Sequence, residues 1–449
     1  MPHELPDRPP FVLRARVLTP LAAGATRYEA DGRIDVDETG RIALVGPWTE
    51  PAADDGGIID LRPLVVMPGM VDLHVHLPQL PNAGVGAGLD LLTWLQRYIF
   101  PLERAFDEEA AERLAPLAFR AFAAAGTTTA VLYGAVFQPS LDAAFRAAEA
   151  HGIRAVIGKV MMDRGSYDDT LSSARVLDAS LRQSADLCAR WHMRDDGRLR
   201  YAYTPRFAIS CGPDMLRKSA DLARESGAYW QTHVAEDRNE MREVARLFPD
   251  AQDYLDVYDQ AGGLGPRTIL AHAIHLSPRE IARVAEADAA IAHCPASNLF
   301  LASGAMPLAR YLAAGIRVGL GSDVSAGPEL SIFANMRAGA YIQSGLRVLA
   351  EERGEAGDDT APLQPLDWLR LATYDGARAL GQHDAIGSLE PGKEADMIAV
   401  DPRLVAPVPG IDSDDPAEVM SRLAFRPHPD MVRAAWVRGR RLDGPPGIA

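Results

Sequence analysis

Between residues 68 and 380 short apolar runs alternate with longer stretches whose apolar positions recur every three or four residues. The runs occupy residues 65–72, 127–133, 153–160, 201–206, 228–233, 268–272, 289–293 and 316–321, and each is followed by an amphipathic stretch rich in Ala, Arg, Glu and Leu. A buried run followed by a helix and another buried run is the pattern of parallel strands joined by right-handed crossovers. Eight such units predict an α/β fold, a closed (β/α)8 TIM barrel with its chemistry at the carboxyl ends of the strands. Residues 1–67 and 381–449 read differently. Short β-type runs at 11–18, 32–36, 42–46, 395–401 and 432–440 are separated by turn residues. Such strands cannot bury both faces alone, so the two terminal segments are expected to pair into one small β-sandwich beside the barrel domain of residues 68–380.

Composition narrows the class. With 47% hydrophobic and 24% charged residues the chain has ordinary globular composition, and no apolar run reaches the length of a membrane span. The N-terminus lacks the basic and apolar regions of a signal peptide. Three cysteines, Cys188, Cys211 and Cys294, are too few and too scattered for a disulfide framework, and a reducing cytoplasm is the expected compartment. A net charge of -15 argues against a nucleic-acid partner, which needs a basic footprint. A small uncharged or weakly charged molecule is the expected ligand.

The candidate chemistry sits where the runs end. His74 and His76 are two residues apart, so on a strand both face one side. His233 ends the fifth run, His272 the sixth, and Asp323 follows the eighth. Three imidazoles (His74, His76, His233) and the Asp323 carboxylate, with a position left for water, form a catalytic metal set rather than a closed structural one. Zinc in such a site lowers the pKa of its water to about 7. Glu236, three residues past His233, is placed to shuttle a proton, and His272 to hold the attacking water or polarise the reacting centre. A dinuclear centre is disfavoured because the fourth run has no lysine; Lys159 lies one strand earlier. His3, His151, His192, His383 and His428 have no such context and read as ordinary polar residues. On the substrate side, Arg206 offers a planar fork of donors of the kind that reads adjacent acceptors on a purine, and Gln79 both donates and accepts.

These motifs together resemble the amidohydrolase superfamily, and within it the guanine deaminases of the barrel type. The resemblance is carried by Val66-Met67-Pro68-Gly69-Met70-Val71-Asp72-Leu73-His74-Val75-His76-Leu77-Pro78-Gln79, by residues 91–103 with Trp94, and by Gly158-Lys159-Val160-Met161-Met162-Asp163. Thr204-Pro205-Arg206-Phe207, residues 292–299 and Pro391-Gly392-Lys393-Glu394-Ala395-Asp396 continue it. The resemblance implies one zinc per subunit held by His74, His76, His233 and Asp323, with iron as the alternative metal. It implies Glu236 and Asp323 as proton carriers beside His272, with Gln79, Trp94, Arg206 and Phe207 around a purine. The implied reaction is hydrolytic deamination of guanine to xanthine, with attack expected at C6, in a homodimer. Leu73 departs from the family pattern, as do Pro328 and Glu329, which are expected to reshape the pocket rim. The competing expectations are an aminohydrolase of 8-oxoguanine, a pterin or a hydroxy-triazine, and, from another class, a scaffold without activity.

Overall fold

The computed structural model describes residues 5–50, 57–167, 171–357 and 361–447. Four strands open the chain: β1 (Phe11–Pro20), β2 (Thr26–Val36), β3 (Ile42–Pro47) and β4 (Ile58–Pro68). Then come β5 (Met70–His76), β6 (Thr127–Tyr133), β7 (Arg154–Gly158), β8 (Val160–Met161) and β9 (Leu199–Pro205). They are followed by β10 (Tyr229–Val234), β11 (Thr268–His272), β12 (Ala290–His293) and β13 (Arg317–Leu320). The chain closes with β14 (Met397–Val400), β15 (Val432–Val437) and β16 (Arg440–Arg441).

Strands β5 to β13 form one parallel sheet in the order β13-β12-β11-β10-β9-β7-β6-β5, with β8 also paired to β9. The third expected run is split at Lys159 into β7 and β8, so nine strands make eight units. The sheet closes where β13 returns beside β5: the Asp323 amide donates to the His74 carbonyl at 2.8 Å. The approach there needs Gly321, where a Cβ would lie 2.8 Å from that of His74. Val71, Leu73, Val131, Val156, Ala202 and Ile269 fill the barrel interior.

The crossover helices follow from local signals. In Glu108–Ala124, residues Ala111, Ala115, Ala118, Phe119 and Phe122 make one buried stripe, and the Asp107 side chain caps the first turn. The helix Pro278–Glu286 opens with a reciprocal capping box between Ser277 and Glu280 and with proline at its first position. The helix Gln138–His151 ends at Gly152, whose φ of 94° favours glycine.

The termini pair as their pattern predicts. They form one mixed seven-stranded sheet in the order β16-β15-β14-β4-β1-β2-β3, with β14 antiparallel to β4. One face encloses a core of its own, including Leu13, Ala15, Val17, Ile34 and Trp436. Leu18, Val65, Met67 and Ile398 join the main core of the barrel. The chain passes from β4 into the barrel at Gly69, where a Cβ would lie 2.0 Å from the Thr128 hydroxyl. Buried Arg154 on β7 fastens the two parts by donating to Asp396, at 2.9 Å, and to Glu394. Cys188, Cys211 and Cys294 are buried and unpaired. Among the described residues no helix is long and apolar enough to cross a membrane.

Candidate active site and metal centre

The register between β5 and β6 shifts between Asp72 and Val75. Leu73 therefore fills the barrel interior while Val75 turns into the outer core. His74 and His76 reach the barrel mouth together, the re-aiming that an irregularity of this kind provides. His233 comes from β10, His272 from the last residue of β11, and Asp323 from just beyond β13. His272 and Asp323 adopt left-handed backbone, φ 68° and 49°. For non-glycine residues this costs roughly 1–3 kcal/mol each and persists only where the surroundings hold it.

The donors converge. His74 Nε2 and His233 Nε2 each lie 3.2 Å from His76 Nε2. Asp323 Oδ1 is 3.1 Å from His74 Nε2 and 3.4 Å from His76 Nε2. All four side chains are buried. His233 Nδ1 meets the Arg206 carbonyl at 2.6 Å. A carbonyl only accepts, so the His233 proton is on Nδ1 and its Nε2 presents a lone pair to the other imidazoles. Burial lowers the pKa of His74, His76 (to about 4) and His233, which keeps these rings neutral. Several lone pairs facing one point beside a carboxylate repel unless a cation sits among them, so this donor set fits a divalent metal. Ser297 donates to Asp323 Oδ2 at 2.5 Å, orienting the carboxylate. Asp323 is no helix cap; the next helix, Ile332–Glu352, is capped by Ser331.

A buried carboxyl–imidazole pair borders this cluster. His272 Nδ1 lies 2.9 Å from Asn298 Oδ1, which puts its proton there and leaves Nε2 to accept. Glu236 Oε2 is 3.3 Å from that nitrogen, and the Ser303 hydroxyl donates to Glu236 Oε1 at 3.4 Å. Glu236 is 3% exposed, not a solvated surface carboxylate. Its burial, with the charges of Asp323, Glu240 and Asp237, pushes its carboxyl well above the ordinary range. The acid form of Glu236 is thus favoured relative to an ordinary carboxyl, beside His272 Nε2.

A small pocket opens beside these groups, with Gln79, Trp94, Arg206 and Phe207 in its wall. The sequence-predicted metal donors, proton carriers and ring contacts thus meet in one place. Trp94 belongs to a segment in which the helix Leu91–Trp94 passes through a π turn, Leu95–Ile99, into Phe100–Arg104. Such turns are frequent at functional sites. The indole donates to the Val85 carbonyl at 3.0 Å. Pro328 and Glu329 do not shape this wall. Both are exposed, Glu329 lies 3.6 Å from Arg337, and Ala326 lines the pocket instead.

Sequence reasoning assigned no role to Glu103, Ser297 or Asn298, although all lie within stretches that carry the resemblance. Glu103 is 1% exposed and accepts hydrogen bonds from Gln79 Nε2, at 2.7 Å, from Arg206 and from the Tyr167 hydroxyl. Arg206 also lies over the Phe100 ring, 5.5 Å from its centroid. A buried arginine needs a partner, and that requirement was the one signal pointing to an unseen acid. The sequence alone does not say which acid supplies it.

The chain matches the Amidohydrolase family over residues 65–442. It is 34% identical over 408 residues to a guanine deaminase of Escherichia coli strain K12, covering 89% of this chain and 88% of that one. A guanine deaminase from Bradyrhizobium japonicum superposes with a TM-score of 0.88 at 29% identity, over 96% of this chain and 98% of the other. A guanine deaminase from C. acetobutylicum with guanine bound in its active site superposes with a TM-score of 0.87 at 28% identity, over 96% and 99%.

Proposed function

The chain belongs to the amidohydrolase family, and from that premise we propose that it deaminates guanine to xanthine and ammonia with one zinc ion per subunit. The observation that carries the reading is the pairing of the metal-type cluster with Arg206 and Gln79 across one small pocket. Glu103 takes the Gln79 amino group, so Gln79 Oε1 is left to accept while Arg206 donates. An acceptor beside a donor matches a ring whose carbonyl adjoins an N–H, as O6 adjoins N1–H in guanine.

Stoichiometry corrects one expectation. The amino group of guanine is on C2, and C6 already bears the oxygen that xanthine keeps. Loss of ammonia therefore requires attack at C2 and not at C6.

His74, His76, His233 and Asp323 would hold the metal, and the nitrogen-rich donor set suits zinc, with iron the alternative. A divalent cation there supplies Lewis acidity that lowers the pKa of water to about 7. Asp323 takes the proton of the attacking water. Glu236 delivers its own proton to the ring nitrogen beside C2; Asp323 passes the water proton to the departing amino group, and as the C2–N bond breaks and the carbonyl forms, the C2 hydroxyl proton returns to Glu236. His272 accepts from Glu236 and keeps that carboxyl aimed into the pocket. Arg206, Gln79 and Phe207 hold the ring so that C2, and not C6 or C8, faces the metal.

The test is ammonia release with product mass from zinc-replete protein given guanine, 8-oxoguanine, a pterin and a hydroxy-triazine in parallel. Xanthine as the dominant product supports the reading. Turnover of another ring with guanine inert replaces the substrate and keeps the chemistry. No turnover of any ring favours a scaffold role.

A further inference from the structure

Gln79 and Arg206 reach the pocket from different places, the short helix Leu77–Asn82 after β5 and the residue after β9. What joins them is one side chain. Glu103 gives one oxygen to Gln79 Nε2 and the other to Arg206 and the Tyr167 hydroxyl. Two consequences follow from where that carboxylate sits.

The first is directional. An amide rotated by 180° exchanges its donor and acceptor, and nothing in a glutamine itself selects between them. With Glu103 ionised and able only to accept, Gln79 must give it the amino group. The Arg206 charge and its hydrogen bond hold the Glu103 carboxyl below the ordinary range against its burial. The second consequence is charge. Arg206 is 2% exposed, and its cation is matched by one buried anion. The recognition wall is therefore neutral overall. The other charged or titratable groups facing the pocket are His76, His233, His272, Glu236 and Asp323, all on the metal side.

A neutral wall matters because substrate and product differ in acidity. Replacing the C2 amino group by a carbonyl makes the adjacent ring N–H an imide-type acid. Xanthine thus loses a proton more readily than guanine and becomes an anion in mildly alkaline solution. An uncompensated buried arginine would hold that anion more tightly than the neutral substrate. Resting on the reading of the site as a guanine aminohydrolase, we propose that Glu103 is a positioning residue with two effects. It fixes the donor and acceptor pattern that reads the ring, and by cancelling Arg206 it keeps the acidic product from being retained.

The experiment compares wild type, Glu103→Gln and Tyr167→Phe. It measures metal content, kcat and KM for guanine, and xanthine affinity by direct titration at neutral and mildly alkaline pH. E103Q keeps the side chain's shape and removes its charge. It should keep its metal, raise KM for guanine roughly tenfold or more, and bind xanthine more tightly relative to guanine, with the gap widening as pH rises. Y167F keeps the charge and removes one hydrogen bond. It should raise KM severalfold and leave the xanthine-to-guanine preference as in wild type. An unchanged preference in E103Q overturns the charge role, and an unchanged KM in Y167F overturns the positioning role. Parallel loss of metal and binding in E103Q would show a merely structural residue. Wild-type protein inert towards guanine overturns the functional reading instead, a result visible before either variant is made.

Discussion

Glu236→Gln removes one ionisable proton from the site and little else. The amide keeps the length of the side chain, its place 3.3 Å from His272 Nε2 and its contact with Ser303. None of the four converging metal donors is touched. In the native protein burial, then the charges of Asp323, Glu240 and Asp237, keeps the Glu236 carboxyl protonated well above the ordinary range. That shift favours the acid form, and an amide of the same shape has no acidic proton to give. Positioned acid–base groups contribute roughly 10²–10⁴ in rate, or about 3–5 kcal/mol of barrier. Because a neutral acid is exchanged for a neutral amide, the change in folding stability should stay under about 1 kcal/mol. Ammonia release under saturating guanine, beside metal analysis and thermal unfolding, separates these quantities. The expected result is kcat reduced by roughly a hundredfold or more, with full metal content and KM within a few-fold of wild type. A kcat within tenfold of wild type at full metal occupancy would refute the role given to Glu236.

Three further outcomes are expected. Arg206→Met should retain the metal but lose most guanine turnover, and should destabilise the fold by roughly 3–5 kcal/mol because Glu103 is left as an unpaired buried charge; equal loss of metal and turnover would show Arg206 to be purely structural. Chelation should abolish turnover and lower the Tm, and added zinc should restore both; identical unfolding curves with and without zinc would argue against the metal centre. Lys159→Met should stabilise the protein at neutral pH. Burial lowers the Lys159 pKa from 10.5 to about 7, with a hydrogen bond to Ser180 at 3.0 Å, so the unfolded chain binds the extra proton across that range. Wild-type stability should therefore rise with pH between about 7 and 10.5, and the advantage of the variant, on the order of a few kcal/mol at neutral pH, should shrink over the same window. A gap independent of pH would mean that Lys159 is not charged on unfolding in the way supposed.

The charge arrangement at the pocket also bears on substrate range. Arg206 supplies donors without net charge, because Glu103 answers it. On the proposed reading, neutral heterocycles with a carbonyl beside an N–H would be favoured over ring anions at this wall. On the same reading, discrimination among neutral rings would fall to Gln79 Oε1, whose amide donates to Glu103, and to the wall around Trp94 and Phe207.

The sequence by itself determined what depends on period and on residue type. Alternating apolar runs and amphipathic stretches specify strands and helices through their repeat, and eight such units suit a closed barrel. Spacing by two on a strand placed His74 and His76 together, and His233 and His272 stood out because each ends a run, with Glu236 and Asp323 just beyond one. Glu103, Ser297 and Asn298 were not legible as site residues. They lie in short helices, and their work consists of contacts between distant segments: Glu103 with Gln79 and Arg206, Ser297 with Asp323, Asn298 with His272. Pro328 and Glu329 are the reverse case, expected to shape the pocket rim and absent from its wall. Periodicity is a local property, carried by consecutive residues. Which acid meets a buried arginine, which way an amide points, and which loop residue faces the pocket are settled only when segments far apart in the chain come within hydrogen-bonding distance, and that the tertiary structure alone decided.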